Sequence, residues 1–165
     1  MRFLSLLSCW KIISLICGIC FLNGCGLFET DEERWSDSME TVYDYEAVNY
    51  CANLRENGYS GWRIPTISEL RTLIQNCPSI ETDGSCKITD YCLNTENCMY
   101  NSCKGCDYAA SSDGKYSKLG DIDTFWSSSE NEEGNQYWVN FSSASIELEN
   151  GSSVHLKSIR CIRDK

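Results

Sequence analysis

Cysteine is the residue type with the most chemistry in this chain, twelve among 165 positions, against a single imidazole, His155. Thiols at this density can pair as disulfides, hold zinc, accept a lipid or cycle redox equivalents. Position and spacing divide these roles. Cys9, Cys17 and Cys20 lie in an N-terminal apolar segment, and Cys25 closes the sequence Leu22-Asn23-Gly24-Cys25. The other eight are Cys51, Cys77, Cys86, Cys92, Cys98, Cys103, Cys106 and Cys161. An even number in an exported, loop-rich chain reads as four disulfides. Cys103-Lys104-Gly105-Cys106 has the CxxC spacing of a zinc half-site or a dithiol redox pair. One histidine and an oxidising compartment weigh against zinc, and the βαβ context of a thioredoxin-like pair is absent, so a structural bridge is the preferred reading.

The remaining chemistry is sparse. His155 lies between Val154 and Leu156 as a strand side chain would, and no Ser/His/Asp arrangement can be argued from spacing, so no catalytic residue is assigned and the chain is read as non-enzymatic. Asn131-Glu132-Glu133-Gly134-Asn135-Gln136 offers hard oxygen ligands for Ca²⁺, although a solvated hairpin loop is the preferred reading. Trp62, Trp126 and Trp138 could stack on sugar rings, or fill a core; core is preferred. No metal or cofactor is expected.

Export is written at the N-terminus. Arg2 and Lys11 precede an apolar run from Ile12 to Leu22. At about eleven residues it falls short of the roughly 20 that span a bilayer. Residues 1–24 are therefore expected to be a lipoprotein signal peptide, with Cys25 the acylated residue; Asn23 departs from the usual small or aliphatic residue, and an ordinary secretory signal is the alternative. Loss of Arg2 and Lys11 takes the formal charge from −10 to −12. That excludes nucleic acid as a partner and disfavours anionic polysaccharide. Lys157, Arg160, Arg163 and Lys165 form the one basic cluster, which neutralises an acidic sheet.

Residues 25–34 are acidic and read as a tether, and 35–165 as one domain, with folding from about Trp35. Asp44 is placed to cap a helix from Tyr45 to Asn57 that turns Cys51 inward, with Gly58 as its stop. Ile64-Pro65-Thr66 then leads into a second helix, Ile67 to about Asn76, with Thr66 and Glu69 as a capping box and Ile67, Leu70, Leu73 and Ile74 on its apolar face. Between Cys77 and Gly120 six cysteines sit among polar residues, a segment expected to rely on bridges rather than on a core. Six cysteines allow many connectivities; neighbour pairing (Cys77 with Cys86, Cys92 with Cys98, Cys103 with Cys106) is the simplest guess. Short strands follow at Thr124–Ser128, Tyr137–Phe141, Ser145–Leu148, Val154–Leu156 and Ser158–Ile162, with a turn at Glu149-Asn150-Gly151-Ser152, as an antiparallel meander. Alternation in the last strand turns Cys161 inward, where it can meet Cys51.

Five motifs in order carry a resemblance: Tyr50-Cys51; Gly61-Trp62-Arg63-Ile64-Pro65-Thr66 with Glu69-Leu70; Phe125-Trp126-Ser127-Ser128-Ser129; Tyr137-Trp138-Val139-Asn140-Phe141; and Ile159-Arg160-Cys161-Ile162-Arg163. From about Trp35 to Arg163 the chain resembles the Lcl C-terminal domain, named for Legionella collagen-like adhesins, and the related Fibrobacter succinogenes major domain. The resemblance implies an α+β, C-type lectin-like fold: two helices beside a twisted antiparallel sheet, with a disulfide-rich loop insertion at 77–120. The adhesin resemblance suggests glycosaminoglycan binding, which the charge of −12 argues against, so the chain is read as a lipid-anchored envelope or cell-surface domain that recognises carbohydrate or another envelope protein; Gly26 after Cys25, rather than Asp, favours the outer membrane. Two other classes compete: a structural envelope lipoprotein without a soluble ligand, and a CxxC thiol redox protein. The Glu-Pro-Asn, Gln-Pro-Asp and Trp-Asn-Asp motifs of calcium-dependent lectins are absent.

Overall fold

Alternation of buried residues across neighbouring strand positions divides the domain into two cores, one on each face of a single sheet. The computed structural model describes residues 34–98, 101–107, 113–149 and 155–164. Cys25, the signal segment and nearly all of the tether lie outside them, as do Asn150 to Val154 of the expected turn and strand, and Lys165. The elements in chain order are β1 (Trp35–Val42), α1 (Asp44–Asn53), α2 (Ile67–Thr72), α3 (Thr95–Cys98), β2 (Thr124–Glu130), β3 (Gln136–Asn140), β4 (Ser145–Leu148) and β5 (Lys157–Ile162). The fold class is α+β. Among the described residues no helix is long and apolar enough to cross a membrane.

The sheet order is β1-β5-β2-β3-β4. β2, β3 and β4 form the expected antiparallel meander, with Trp126 opposite Trp138 and Val139 opposite Ile146. β5 does not continue it. It crosses to the far side of β2, which it meets in parallel at Phe125 and Ser158, and pairs antiparallel with β1, Val42 opposite Lys157. The sheet is therefore mixed rather than antiparallel throughout. Burial explains the choice: every residue of β5 is buried, which suits a central strand covered on both faces and not an edge.

Adjacent residues on a strand point to opposite faces. Phe125 accordingly packs with α2, through Ile67 and Leu70, and with Tyr137, Val139, Phe141 and Ile146. Trp126 packs with α1, through Ala47 and Cys51, and with Trp62, Ile64, Ile159 and Cys161. The cysteine-rich segment belongs to the α2 core. Ile80, Ile88 and Tyr116 are fully buried there, so the segment contributes apolar packing as well as bridges, contrary to the sequence expectation. A few well-placed isoleucines suffice where a helix and a sheet supply the other walls.

Both longer helices stop early. α1 ends at Asn53, and Asn57-Gly58 is not its stop. These two residues take φ of 51° and 80° while Glu56 and Tyr59 exchange backbone hydrogen bonds, the geometry Asn-Gly favours in a tight hairpin turn. At the other end the N-cap is Tyr43, whose N–H donates to the Glu46 carboxylate, and Asp44 is the first helical residue. α2 ends at Thr72 rather than near Asn76, because the 114–118 loop takes its next backbone groups: Gln75 N–H donates to Tyr116 O (3.0 Å), and Leu73 O accepts from Lys118 N–H (2.8 Å). The Thr66–Glu69 capping box is present, with Thr66 Oγ1 accepting from Glu69 N–H (3.2 Å) and Glu69 accepting from Thr66 N–H (2.9 Å). His155 and Leu156 precede β5 and are not in a strand.

Candidate functional site

All eight cysteines of the domain are bridged. Cys51 on α1 is joined to Cys161 on β5 (Cα–Cα 5.6 Å), both completely buried. Cys92 is joined to Cys98, a neighbour pair. The other two neighbour pairs do not form: Cys77 is joined to Cys106 and Cys86 to Cys103, nested one inside the other. Sequence proximity favours neighbour pairing only while the intervening chain is free. Here the 80–88 stretch is held by backbone hydrogen bonds to the side chain of Arg71. Cys103 and Cys106 go to different partners, and the CxxC spacing makes no dithiol pair.

Part of this segment and the β2–β3 hairpin enclose a polar cleft of about 300 Å³, lined by Asn94, Thr95 and Glu96 on one side and Asn131, Glu132 and Glu133 on the other. Each wall is held in shape from behind. Asn94 Oδ1 accepts from the N–H groups of Glu96 (2.9 Å) and Asn97 (3.1 Å), the Cys92–Cys98 bridge closes the short α3 onto its loop, and Tyr137 Oη donates to Leu93 O (2.7 Å). Across the cleft, Asn131 Oδ1 accepts from Glu133 N–H (3.1 Å) and Asn135 N–H (2.8 Å) inside the β2–β3 hairpin. The expected solvated hairpin loop is thus what 131–136 forms, and its asparagine oxygen is used by its own backbone. Among the described residues no group of three or more His, Cys, Asp and Glu side chains is placed to share an ion.

The three tryptophans do not form a stacking platform. Trp62 and Trp126 are only 3% and 1% exposed, and Trp138 is half-buried. Their faces are taken: the Lys157 ammonium lies 3.9 Å from the Trp126 ring centroid and 4.8 Å from that of Trp138, and the Arg163 guanidinium 3.6 Å from Tyr59 and 5.8 Å from Trp62. Lys157 also donates to Glu149, which receives His155 Nδ1 at 2.7 Å. Burial alone would push the Glu149 carboxyl up, but the hydrogen bonds of Lys157 and then His155 outweigh it and hold it below its ordinary value. Arg160, equally buried, pairs with Asp121 (2.5 Å) and donates to Ser36 O. Two members of the basic cluster are thus internal, each paired with an acidic residue, Lys157 with Glu149 and Arg160 with Asp121.

A second cleft, of about 460 Å³ and largely apolar, runs between α1 and the segment entering α2, lined by Val48, Ala52, Trp62, Arg63, Ile64, Thr66 and Ser128. Arg63 on its rim is neutralised by Glu69 (2.7 Å) and Asp164 (2.6 Å).

The polar cleft was not legible in the sequence, because its two walls are distant in the chain and are brought together by a bridge and a hairpin. Arg71 does carry a signal in the sequence: it stands four residues after Ile67 and three before Ile74, where a core-facing side chain belongs.

A family model, the Lcl C-terminal domain, matches residues 25–163, nearly the whole chain. Among curated proteins and among solved structures, no match is found.

Proposed function

We propose that this chain, which belongs to the Lcl C-terminal domain family, is a non-enzymatic recognition domain of the bacterial envelope with a C-type lectin-like arrangement, anchored by lipid at Cys25. The family and the four disulfides fit a surface or secreted domain. Its ligand is a neutral or amino-bearing glycan, held in the cleft between Asn94–Glu96 and Asn131–Glu133. One observation carries this reading: a polar cleft large enough for a sugar ring or two, whose walls are fixed in advance by a bridge, an asparagine-capped turn and a hairpin. Prior ordering of the walls lowers the entropy lost on binding. Three glutamates at the rim repel sulfated and carboxylated chains, so glycosaminoglycan is not the ligand.

The test is a glycan array probed with the oxidised protein at low and moderate salt, beside a Glu132→Lys, Glu133→Lys variant. Binding to neutral or amino glycans that the variant loses supports the reading. No binding to any glycan, or binding confined to sulfated chains, overturns it and leaves the structural envelope lipoprotein as the better description. Anchoring is checked separately: Cys25→Ser should abolish incorporation of a fatty-acid analogue, and undiminished labelling would exclude Cys25 as the attachment site.

A further inference from the structure

Arg71 is 2% exposed, in the wall of the larger core; Asp83 near the loop tip acts on its charge through space, but no carboxylate among the described residues lies within ion-pair distance of it. A guanidinium keeps its proton in such a place, so the charge has to be satisfied where it lies. Four backbone carbonyls do this. Nε donates to Ile80 O (2.9 Å), Nη1 to Ile88 O (2.7 Å), and Nη2 to Glu81 O (2.7 Å) and Cys86 O (3.2 Å). Ile80 and Glu81 lie on the outgoing limb of the 77–88 loop, Cys86 and Ile88 on the returning limb. One planar fork therefore clamps both limbs, as an oxygen-lined cage would hold a cation.

The loop is closed tightly around this clamp. Cys86 N–H donates to Ser79 O (2.9 Å), and a Cβ at Gly84 would lie 2.4 Å from Ser79 O, so the tip folds against its own base. With both limbs fixed, Cys77 faces Cys106 and Cys86 faces Cys103. Loop-closure entropy alone favours the opposite result, Cys77 with Cys86 and Cys103 with Cys106, because those loops are shorter.

We infer that the Arg71 guanidinium directs disulfide pairing in the cysteine-rich segment, acting as a resident cation around which the 77–88 loop winds before its cysteines are oxidised. Without it, the carbonyls of Ile80, Cys86 and Ile88 lose the guanidinium, Glu81 O is left with Gly84 N–H alone (2.7 Å), the loop opens, and the thiols pair by sequence proximity. A lysine brings the charge but only three donors in no fixed plane, so it replaces the clamp in part.

The test is oxidative refolding of the chain with Cys9, Cys17, Cys20 and Cys25 changed to Ser, so that only the eight bridged cysteines exchange, reduced in denaturant and diluted into a reduced and oxidised glutathione mixture. Each bridge then forms by exchange: two protein thiols become one disulfide as one oxidised glutathione becomes two reduced ones. Peptide mapping without reductant reads the pairing. The unaltered chain should regain Cys77–Cys106 and Cys86–Cys103. Arg71→Met should lose the native isomer by roughly ten-fold or more, the equivalent of one to two orphaned carbonyls, and yield Cys77–Cys86 and Cys103–Cys106 peptides. Arg71→Lys should fall between. Ile80→Ala, which opens a cavity in the same core and leaves every donor in place, should refold to the native map with a lower melting temperature. A native map from Arg71→Met would overturn the inference. So would equal scrambling in Ile80→Ala, since apolar packing would then be what sets the pairing.

Discussion

At the scale of single residues, the charges inside this domain are arranged around cations. Arg71 is satisfied by carbonyls, Arg160 by Asp121 and Ser36, and Lys157 by two indole faces and Glu149. Of these partners, Glu149 titrates. The Glu149 carboxyl is held below its ordinary value in the folded protein, so it contributes stability that is fully present above the unfolded value and is lost as pH falls through the folded one. Glu69 behaves in the same direction: burial pushes it up, and the hydrogen bonds from Arg63 and from Thr66 N–H outweigh that. Glu149→Gln should therefore cost about 1.5 to 3 kcal/mol at neutral pH, the range for a hydrogen bond to a charged group. It should also flatten the acid limb of stability against pH without abolishing it, because Glu69 still titrates. Urea melts across the acidic range check both; an acid slope identical to that of the unaltered chain would show that Glu149 is not part of the linkage. The sequence reads Lys157 and Arg160 as members of a cluster that neutralises an acidic sheet, and shows neither which acid each meets nor that both are buried. A charge on a strand is assigned to solvent by default, and only the sheet order shows that β5 is covered on both faces.

At the scale of elements, local chemistry was legible and element length was not. The Thr66–Glu69 box depends on residues three apart and needs no tertiary partner, so its position follows from the sequence alone. The ends of α1 and α2 depend on competition. Asn57-Gly58 was a stronger hairpin signal than a helix stop, and α2 surrenders its last backbone groups to the 114–118 loop, whose proximity no local pattern announces. Nested bridges were illegible for the same reason. Local origin makes a prediction for α2: Thr66→Ala should cost about 1 kcal/mol, the usual value of an N-cap. Arg63 keeps Glu69 in place when the hydroxyl is gone, through two hydrogen bonds of 2.7 and 2.8 Å. Thr66→Ser should therefore restore nearly all of the loss in denaturant melts. A loss several-fold larger, unrelieved by serine, would mean that the Thr66 methyl group and not the cap is what matters.

At the scale of the whole molecule, the order of the sheet gives the two ends of the domain one shared fate. β5 lies between β1 and β2, so the last strand completes pairings with the first, and Cys161 N–H donates to Ser36 Oγ across a separation of 125 residues. Contacts of this length are costly to close, and the Cys51–Cys161 bridge, with a separation of 110, closes them covalently. Chain-entropy reasoning gives it about 5 kcal/mol, against roughly 2.5 kcal/mol for Cys92–Cys98 with its separation of 6. The first figure equals the entire stability of many small domains. Replacing Cys51 and Cys161 by Ala should then lower the unfolding free energy about twice as much as replacing Cys92 and Cys98, while the short-loop variant keeps the mixed sheet intact. The comparison separates two origins of stability, because both double substitutions remove one bridge but only one of them unties β5 from α1. Chemical denaturation of the two variants, monitored by tryptophan fluorescence from Trp126 in the core that holds Cys51 and Cys161, decides it. Equal losses would mean that the strand pairing of β1 with β5 already fixes the ends without the bridge.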